Sequence, residues 1–270
     1  MGLGKSIRLN RLFSHPSGRL CSVAIDHFVG YQEGLPDGLR DLPATLKALV
    51  AGGPDAVTMH KGVAKGCWAP YAGRVPLILQ SIMGRPDDAS DEHIAEPEDA
   101  VRMGADAFAT CAFVRGRTEA AHLRRVADHV RLAEAWDMPV VLHVYPRRVS
   151  ADGKVQIAFD PEDIAWAVRC GIEVGVDVIK VPYCGDVAAY GQIVGTCPVP
   201  VVAAGGPQAE TLQRALDMAA DVVAGGARGM TIGRNIWGHP QITRALRAFK
   251  AVIHDGTTPA EAIRRAGLQG

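Results

Sequence analysis

Short, almost continuously apolar runs recur along the chain, and stretches with helical spacing lie between them. The runs are Ser22–His27, Asp55–His60, Pro76–Met83, Ala105–Val114, Pro139–Pro146, Val176–Tyr183, Pro200–Gly206 and Gly229–Asn235. Apolar side chains at consecutive positions fit parallel strands buried on both faces. The intervening stretches read as helices. Asp41–Val50 precedes the second run. Thr118–Trp136 precedes the fifth and sets Leu123, Val126, Val130, Leu132 and Ala133 on one stripe. Asp160-Pro161-Glu162 reads as an N-cap, a first-turn proline and an acidic group near the positive helix end. Pro207–Ala220 and Pro240–His254 supply two more helices, and Thr258-Pro259-Ala260-Glu261 opens a last one. Alternating strands and helices imply a parallel sheet, and eight strands predict closure into a (β/α)8 TIM barrel. A doubly wound open sheet is the structural rival. No linker or low-complexity tract interrupts the chain, so residues 1–270 are expected to form one domain.

Composition changes this picture little. Lys+Arg and Asp+Glu are both 29, so nothing in the charge balance points to nucleic acid or an anionic membrane. No apolar run approaches the roughly 18–20 residues of a membrane span. Met1–Ser6 has no hydrophobic stretch of the kind a secretion signal needs. The six cysteines form no Cys-x-x-Cys pair, which fits reduced thiols in a cytoplasmic enzyme.

Candidate chemistry follows from position. In a barrel, only side chains near the C-terminal strand ends reach substrate, and alternate strand residues point inward. Applied to the ionisable residues, that filter isolates Lys180 in Val178-Ile179-Lys180-Val181, where lysine is out of place unless paired or functional. A desolvated lysine has a lowered pKa and becomes an amine nucleophile towards carbonyls; the bland alternative is a structural ion pair at the barrel mouth. His143 and Tyr145 share one face of the fifth strand. Asp26 shares one face of the first strand with Ser22 and Ala24. An amine, a carboxylate and a phenol around one mouth make a proton-transfer set.

The last two strands end in Gly205-Gly206-Pro207 and Gly233-Arg234-Asn235. Glycines there let backbone N–H groups approach a phosphate, a following short helix adds its dipole, and Arg234 offers a charged fork. Tight turns alone would also call for glycine. Lys61, just past the second strand, is a candidate substrate-phosphate cation or a structural one. The connections Lys61–Arg74 and Gly84–His93 are candidates for a lid, for subunit contacts, or for ordinary solvated loops.

Assembled in order, these residues resemble the archaeal-type class I fructose-bisphosphate aldolases, a group that also includes DeoC-like and autoinducer-processing aldolases. The resemblance rests on Ala24-Ile25-Asp26-His27, Val144-Tyr145-Pro146-Arg147, Val178-Ile179-Lys180-Val181, Tyr183-Cys184-Gly185-Asp186, Gly205-Gly206-Pro207 and Gly233-Arg234-Asn235-Ile236-Trp237. It implies Lys180 as the Schiff-base lysine, Tyr145 as proton-transfer residue and Asp26 as its assistant. Gly205, Gly206, Gly233 and Arg234 fall at phosphate-binding positions. His27, His143 and Lys61 complete the expected substrate contacts. The substrate implied is a phosphorylated sugar. No metal and no cofactor are expected, because the imine itself is the electrophile. Members of the family are typically homo-oligomers, often decamers. The chain departs from the family pattern at Phe28, where glycine is common, at His143, where tryptophan is common, and at Gln208-Ala209 after the glycines. These departures bear on the substrate more than on the lysine chemistry.

Three other readings stay open. One is another Schiff-base reaction, a thiolase-like or transaldol-type transfer. A second is a metal-dependent barrel lyase using His27, His60 and His143. A third is a phosphate-binding isomerase or a non-catalytic barrel.

Overall fold

The computed structural model describes residues 2–27 and 34–268. Phe28, expected to shape the substrate mouth, lies outside the described residues. Among those described, eight parallel strands close into a ring. They are β1 (Leu20–Ala24), β2 (Ala56–His60), β3 (Leu77–Gln80), β6 (Ala107–Val114), β7 (Val140–Val149), β9 (Val178–Val181), β10 (Val201–Ala204) and β11 (Gly229–Ile232). Each pairs with its neighbour, β11 returns to β1, and β6 pairs with β7 to complete the circle. The expected (β/α)8 barrel is the observed fold.

Strand parity separates two cores. Cys21, Val23, Val57, Leu79, Ile179 and Ile232 face the helices. Leu20, Ala56, Ile78, Ala107, Val141, Val178 and Val202 fill the barrel's inside, with Leu12 packed against them. Leu12 ends α1 (Leu3–Leu12), a helix not foreseen because it has no strand before it and only a short apolar stripe. It stops the N-terminal end of the barrel. At that end, aspartates just before three strands accept a neighbouring strand's N–H: Asp55 from Cys21 at 2.6 Å, Asp106 from Leu77 at 3.4 Å and Asp177 from Val140 at 2.8 Å.

The outer helices are α2 (Leu42–Gly52), α3 (Lys61–Cys67), α4 (Pro97–Arg102), α5 (Glu119–Glu134), α6 (Pro161–Glu173), α7 (Val187–Gly195), α8 (Leu212–Ala224), α9 (Arg234–Trp237), α10 (Ile242–Asp255) and α11 (Pro259–Arg265). Asp41, Asp186, Thr211 and Thr258 cap α2, α7, α8 and α11 by accepting an N–H three residues on. Asp160 does not cap α6 in this way; its carboxylate pairs with Arg148 at 2.8 Å. Helix α8 starts five residues later than the pattern suggests, because residues 205–209 are held as a loop.

Two antiparallel hairpins stand where the sequence pattern suggests a strand continuation or a loop. The stretch after β3 folds back as β4 (Ile82–Gly84) against β5 (Asp91–His93). Strand β7 runs on past the barrel rim to Val149 and pairs with β8 (Val155–Ile157). Asp152-Gly153, with Gly153 at φ +80°, is the turn signal for that second hairpin. Both hairpins stand at the C-terminal rim and wall the cavity there.

Candidate active site

The mouth of the barrel opens into a cavity of about 700 Å³. Its floor follows from strand register. His143 on β7 sits beside Lys180 on β9, and Gln80 sits beside His60 across β3 and β2. Lys180 is 4% exposed and reaches the cavity, while its neighbours Ile179 and Val181 are fully buried on the helix side. The inward parity expected for Val178 and Lys180 is therefore observed. Burial lowers the Lys180 pKa, opposed by the Asp26 charge. Among the described residues, Lys180 is in no direct ion pair with a carboxylate.

Asp26 lies just past the end of β1. Its carboxylate accepts Gln80 Nε2 at 2.9 Å and lies 3.6 Å from His27 Nδ1. Burial would raise this carboxyl. The basic groups facing it (His27, then Lys180, then His143) outweigh burial and hold it well below the usual carboxylate range. Gln80 is the organiser. Its Oε1 accepts the N–H groups of Ser81 and Ile82 at 2.9 and 3.0 Å, which fixes the amide orientation. Nε2 then donates both to Asp26 and to His143 Nδ1, the latter at 3.1 Å. His143 must accept there, so a neutral ring carries its proton on Nε2. Burial, then the Lys180 charge, pushes His143 well below its ordinary pKa, and burial brings His27 to about 4. Both rings are neutral at neutral pH.

Tyr145 lines the cavity two residues further up β7, stacked on Phe113 with ring centroids 5.9 Å apart. Cys111 also lines it, but burial raises its thiol to about 12, so it is not a thiolate.

The opposite wall is backbone. Gly205, Gly206, Gly233 and Arg234 all line the cavity. A Cβ on Gly233 would fall 2.3 Å from the His27 ring, and Gly206 takes φ +69°; each position demands glycine. Arg234 Nη2 donates to Gly206 O at 3.1 Å. Asn235 holds the β10–α8 loop by donating to Gly205 O and Pro207 O at 2.8 and 2.9 Å and accepting Ala209 N–H at 2.8 Å. Helix α9 spans four residues, so its dipole adds little to this wall.

Nine of the ten expected site residues thus border one cavity: Asp26, His27, His143, Tyr145, Lys180, Gly205, Gly206, Gly233 and Arg234. Lys61 does not. It is the first residue of α3, so strand parity no longer aims it, and its ammonium pairs with Asp99 at 3.4 Å. Gln80, Arg85, Gln156 and Asn235 were missed. Gln80 has inward parity at a strand end and would have been found had the filter covered uncharged polar residues. Arg85 and Gln156 arrive on the two hairpins. Arg85 chelates Asp87 at 2.8 Å through Nη2, and its buried Nη1 has no hydrogen-bond partner among the described residues. His27, His60 and His143 do not converge as metal ligands. Among the described residues one His/Asp/Glu/Cys group does, and it is elsewhere, at His93, Glu96 and His129.

Three comparisons bear on this geometry. The sequence profile of the DeoC/LacD family aldolases matches residues 20–239. A 2-amino-3,7-dideoxy-D-threo-hept-6-ulosonate synthase of Halobacterium salinarum is 34% identical over 270 residues, covering 98% of this chain and 97% of that protein. A 2-amino-4,5-dihydroxy-6-oxo-7-(phosphonooxy)heptanoate synthase of Streptomyces griseus is 30% identical, covering 97% and 95%. Among solved structures, an archaeal fructose-1,6-bisphosphate aldolase with its catalytic lysine covalently bound to the carbinolamine intermediate superimposes with a TM-score of 0.80. It is 27% identical, over 93% of this chain and 99% of that one.

Proposed function

The chain belongs to the DeoC/LacD aldolase family, and from that premise we propose a class I aldolase whose Lys180 forms an imine with a phosphorylated ketose. The observation that carries this reading is a buried lysine of lowered pKa that opens into a substrate-sized cavity rather than closing on a carboxylate.

Neutral Lys180 Nζ attacks the ketone carbon to give a carbinolamine. Protonation of its hydroxyl and loss of water leave an iminium ion. The hydroxyl on the β carbon then gives up its proton, the α–β bond breaks, and its electron pair moves into the enamine as the aldehyde departs. Protonation of the enamine and hydrolysis return the lysine. Asp26 and Tyr145 are assigned these proton transfers, because both border the amine's cavity. The N–H groups of Gly205, Gly206 and Gly233, with Arg234, are assigned the phosphate. Binding energy from this non-reacting group orients the carbonyl over Lys180. His27 and His143, as neutral rings, are assigned hydrogen bonds to substrate hydroxyls.

Arg85 Nη1, which has no hydrogen-bond partner among the described residues, favours a substrate with a second anion. Fructose 1,6-bisphosphate fits that pattern, with two phosphates. So does the phosphonooxyheptanoate named for the Streptomyces relative, with a phosphate and a carboxylate. The second reading is therefore a synthase that joins a ketose phosphate to an amino-acid aldehyde; the product named for the Streptomyces relative supports both halves, and the 2-amino-hept-6-ulosonate named for the Halobacterium relative, which carries no phosphate, supports the amino-acid half alone. The test is borohydride trapping with fructose 1,6-bisphosphate, fructose 1-phosphate and fructose, followed by acceptor aldehydes with and without amino and carboxylate groups. Phosphorylated ketoses are expected to trap strongly and fructose weakly. Equal trapping of all three contradicts the phosphate assignment. The fastest acceptor chooses between the two substrates. No helix among the described residues is long and apolar enough to cross a membrane. The same reading carries a cytoplasmic location and a homo-oligomer, with the decamer as the first size to test.

A further inference from the structure

Behind the barrel wall, three side chains from three elements converge. His93 ends β5, Glu96 precedes α4, and His129 projects from α5. His93 Nδ1 lies 3.1 Å from Glu96 Oε1, and His129 Nε2 lies 3.9 Å from Glu96 Oε2. One donor atom from each residue lies within 4.8 Å of the other two. His129 is 2% exposed, and its Nε2 and Glu96 Oε2 are both buried without a hydrogen-bond partner among the described residues. Their separation is too long for a hydrogen bond. A buried imidazole nitrogen and a buried carboxylate oxygen that face each other unsatisfied are rare in folded proteins. A cation between them would satisfy both.

The surroundings suit a ligand histidine. His129 Nδ1 lies 2.9 Å from Thr110 Oγ1 on β6. With Nδ1–H donating to that hydroxyl, Nε2 carries its lone pair into the gap. Arg125 lies one turn earlier on α5. Arg125 is itself neutralised by Asp91 at 2.6 Å.

We propose that His93, Glu96 and His129 form a site for a zinc-class divalent transition ion, with water as the fourth ligand. Two imidazoles and a carboxylate suit zinc better than calcium or magnesium, which prefer all-oxygen shells. Bonds of about 2.0–2.2 Å place tetrahedral donors roughly 3.3–3.6 Å apart; the three donor atoms, one from each residue, lie within 4.8 Å of one another, so the set contracts to close on the ion. The His93 and Glu96 side chains are about half exposed, which leaves room to close on the ion and to admit the water. The ion would tie the β4–β5 hairpin, whose Gly84 and Arg85 wall the active-site cavity, to α4 and α5.

The experiment is Co²⁺ titration of the metal-free full-length protein, read by visible d–d absorption and followed by Zn²⁺ displacement. The expected result is one Co²⁺ per chain with a tetrahedral-type spectrum, bleached by Zn²⁺. Thr110→Val should weaken binding about 10–100-fold through the lost orienting contact, and the more exposed His93→Ala and Glu96→Gln should weaken it further while circular dichroism stays unchanged. Absence of Co²⁺ uptake overturns the site. So does uptake that survives His93→Ala and Glu96→Gln, or a sulfur-to-cobalt charge-transfer band, which would place the ion on cysteine. None of these readouts uses aldolase activity, so the two proposals fail separately.

Discussion

Two lysines are buried among the described residues, one at each end of the barrel. At the closed end Lys5 meets Asp177 at 3.0 Å, and the other Asp177 oxygen takes the Val140 N–H. Both charges of this pair have a fixed partner, and Leu12 and the inner apolar layer keep the pair away from the mouth. At the open end Lys180 feels Asp26 only through space, while Gln80 and His27 occupy the carboxylate. The two ends spend a buried amine differently. The base uses its charge to close a structure. The rim keeps its amine poorly solvated and reachable, which is the condition for a nucleophile. This matches the general division of such barrels into a stabilising N-terminal face and a reactive C-terminal face.

Substitutions at the two ends should separate sharply. Lys180→Met is expected to abolish imine trapping and lower turnover by on the order of 10⁴-fold or more, the scale for loss of an essential nucleophile. Its melting temperature should be unchanged or higher. A depressed native pKa means the unfolded chain binds more protons in the window between the two pKa values, so protonation of Lys180 opposes folding and its removal does not. A Lys180→Met protein that melts early would break the comparison. Tyr145→Phe comes next, with a loss of about 10²–10⁴ in turnover while the imine still forms and traps. Single-turnover kinetics would show it, and an unchanged turnover in Tyr145→Phe would contradict a proton-transfer role.

Lys5→Met has the opposite profile. It leaves Asp177 without its cation and should cost about 3 kcal/mol of stability by denaturant unfolding, with trapping per folded molecule unchanged. Asn235→Ala should loosen the β10–α8 loop and raise KM for phosphorylated substrates about tenfold, equivalent to ~1.4 kcal/mol, with less effect on unphosphorylated ones. The smallest effect is a shift in pH dependence. Trapping should rise with pH and level off below the range of an exposed lysine. Asp26 raises the Lys180 pKa and Arg234 lowers it, so Asp26→Asn should move the rise to lower pH and Arg234→Leu to higher pH. Shifts of the reverse sign would show that these charges do not act on the amine.

Much of this division is written in the sequence. Eight apolar runs place the strands, and alternation within Val178–Val181 aims Lys180 inward before any contact is known. The glycines after β10 and β11 are legible as backbone lining the mouth, and Gly233 is required because a Cβ there would strike His27. What parity cannot show is where a chain goes once a strand ends. Lys61 is one residue past β2 and turns away because a helix begins there. The β4–β5 hairpin brings Arg85 to the cavity and His93 to Glu96, and both depend on a fold-back whose short strands have no strong period of their own. Gln80 was legible but unsought, being uncharged. His129 lies on the buried stripe of an ordinary amphipathic helix, and only its distance to Glu96 sets it apart from a core residue.

The most direct measurement is borohydride reduction in the presence of a ketose phosphate, followed by peptide mapping by mass spectrometry. The account predicts one covalent adduct, on the peptide that carries Lys180, and none in Lys180→Met. An adduct on Lys61, or one that persists in Lys180→Met, would contradict it.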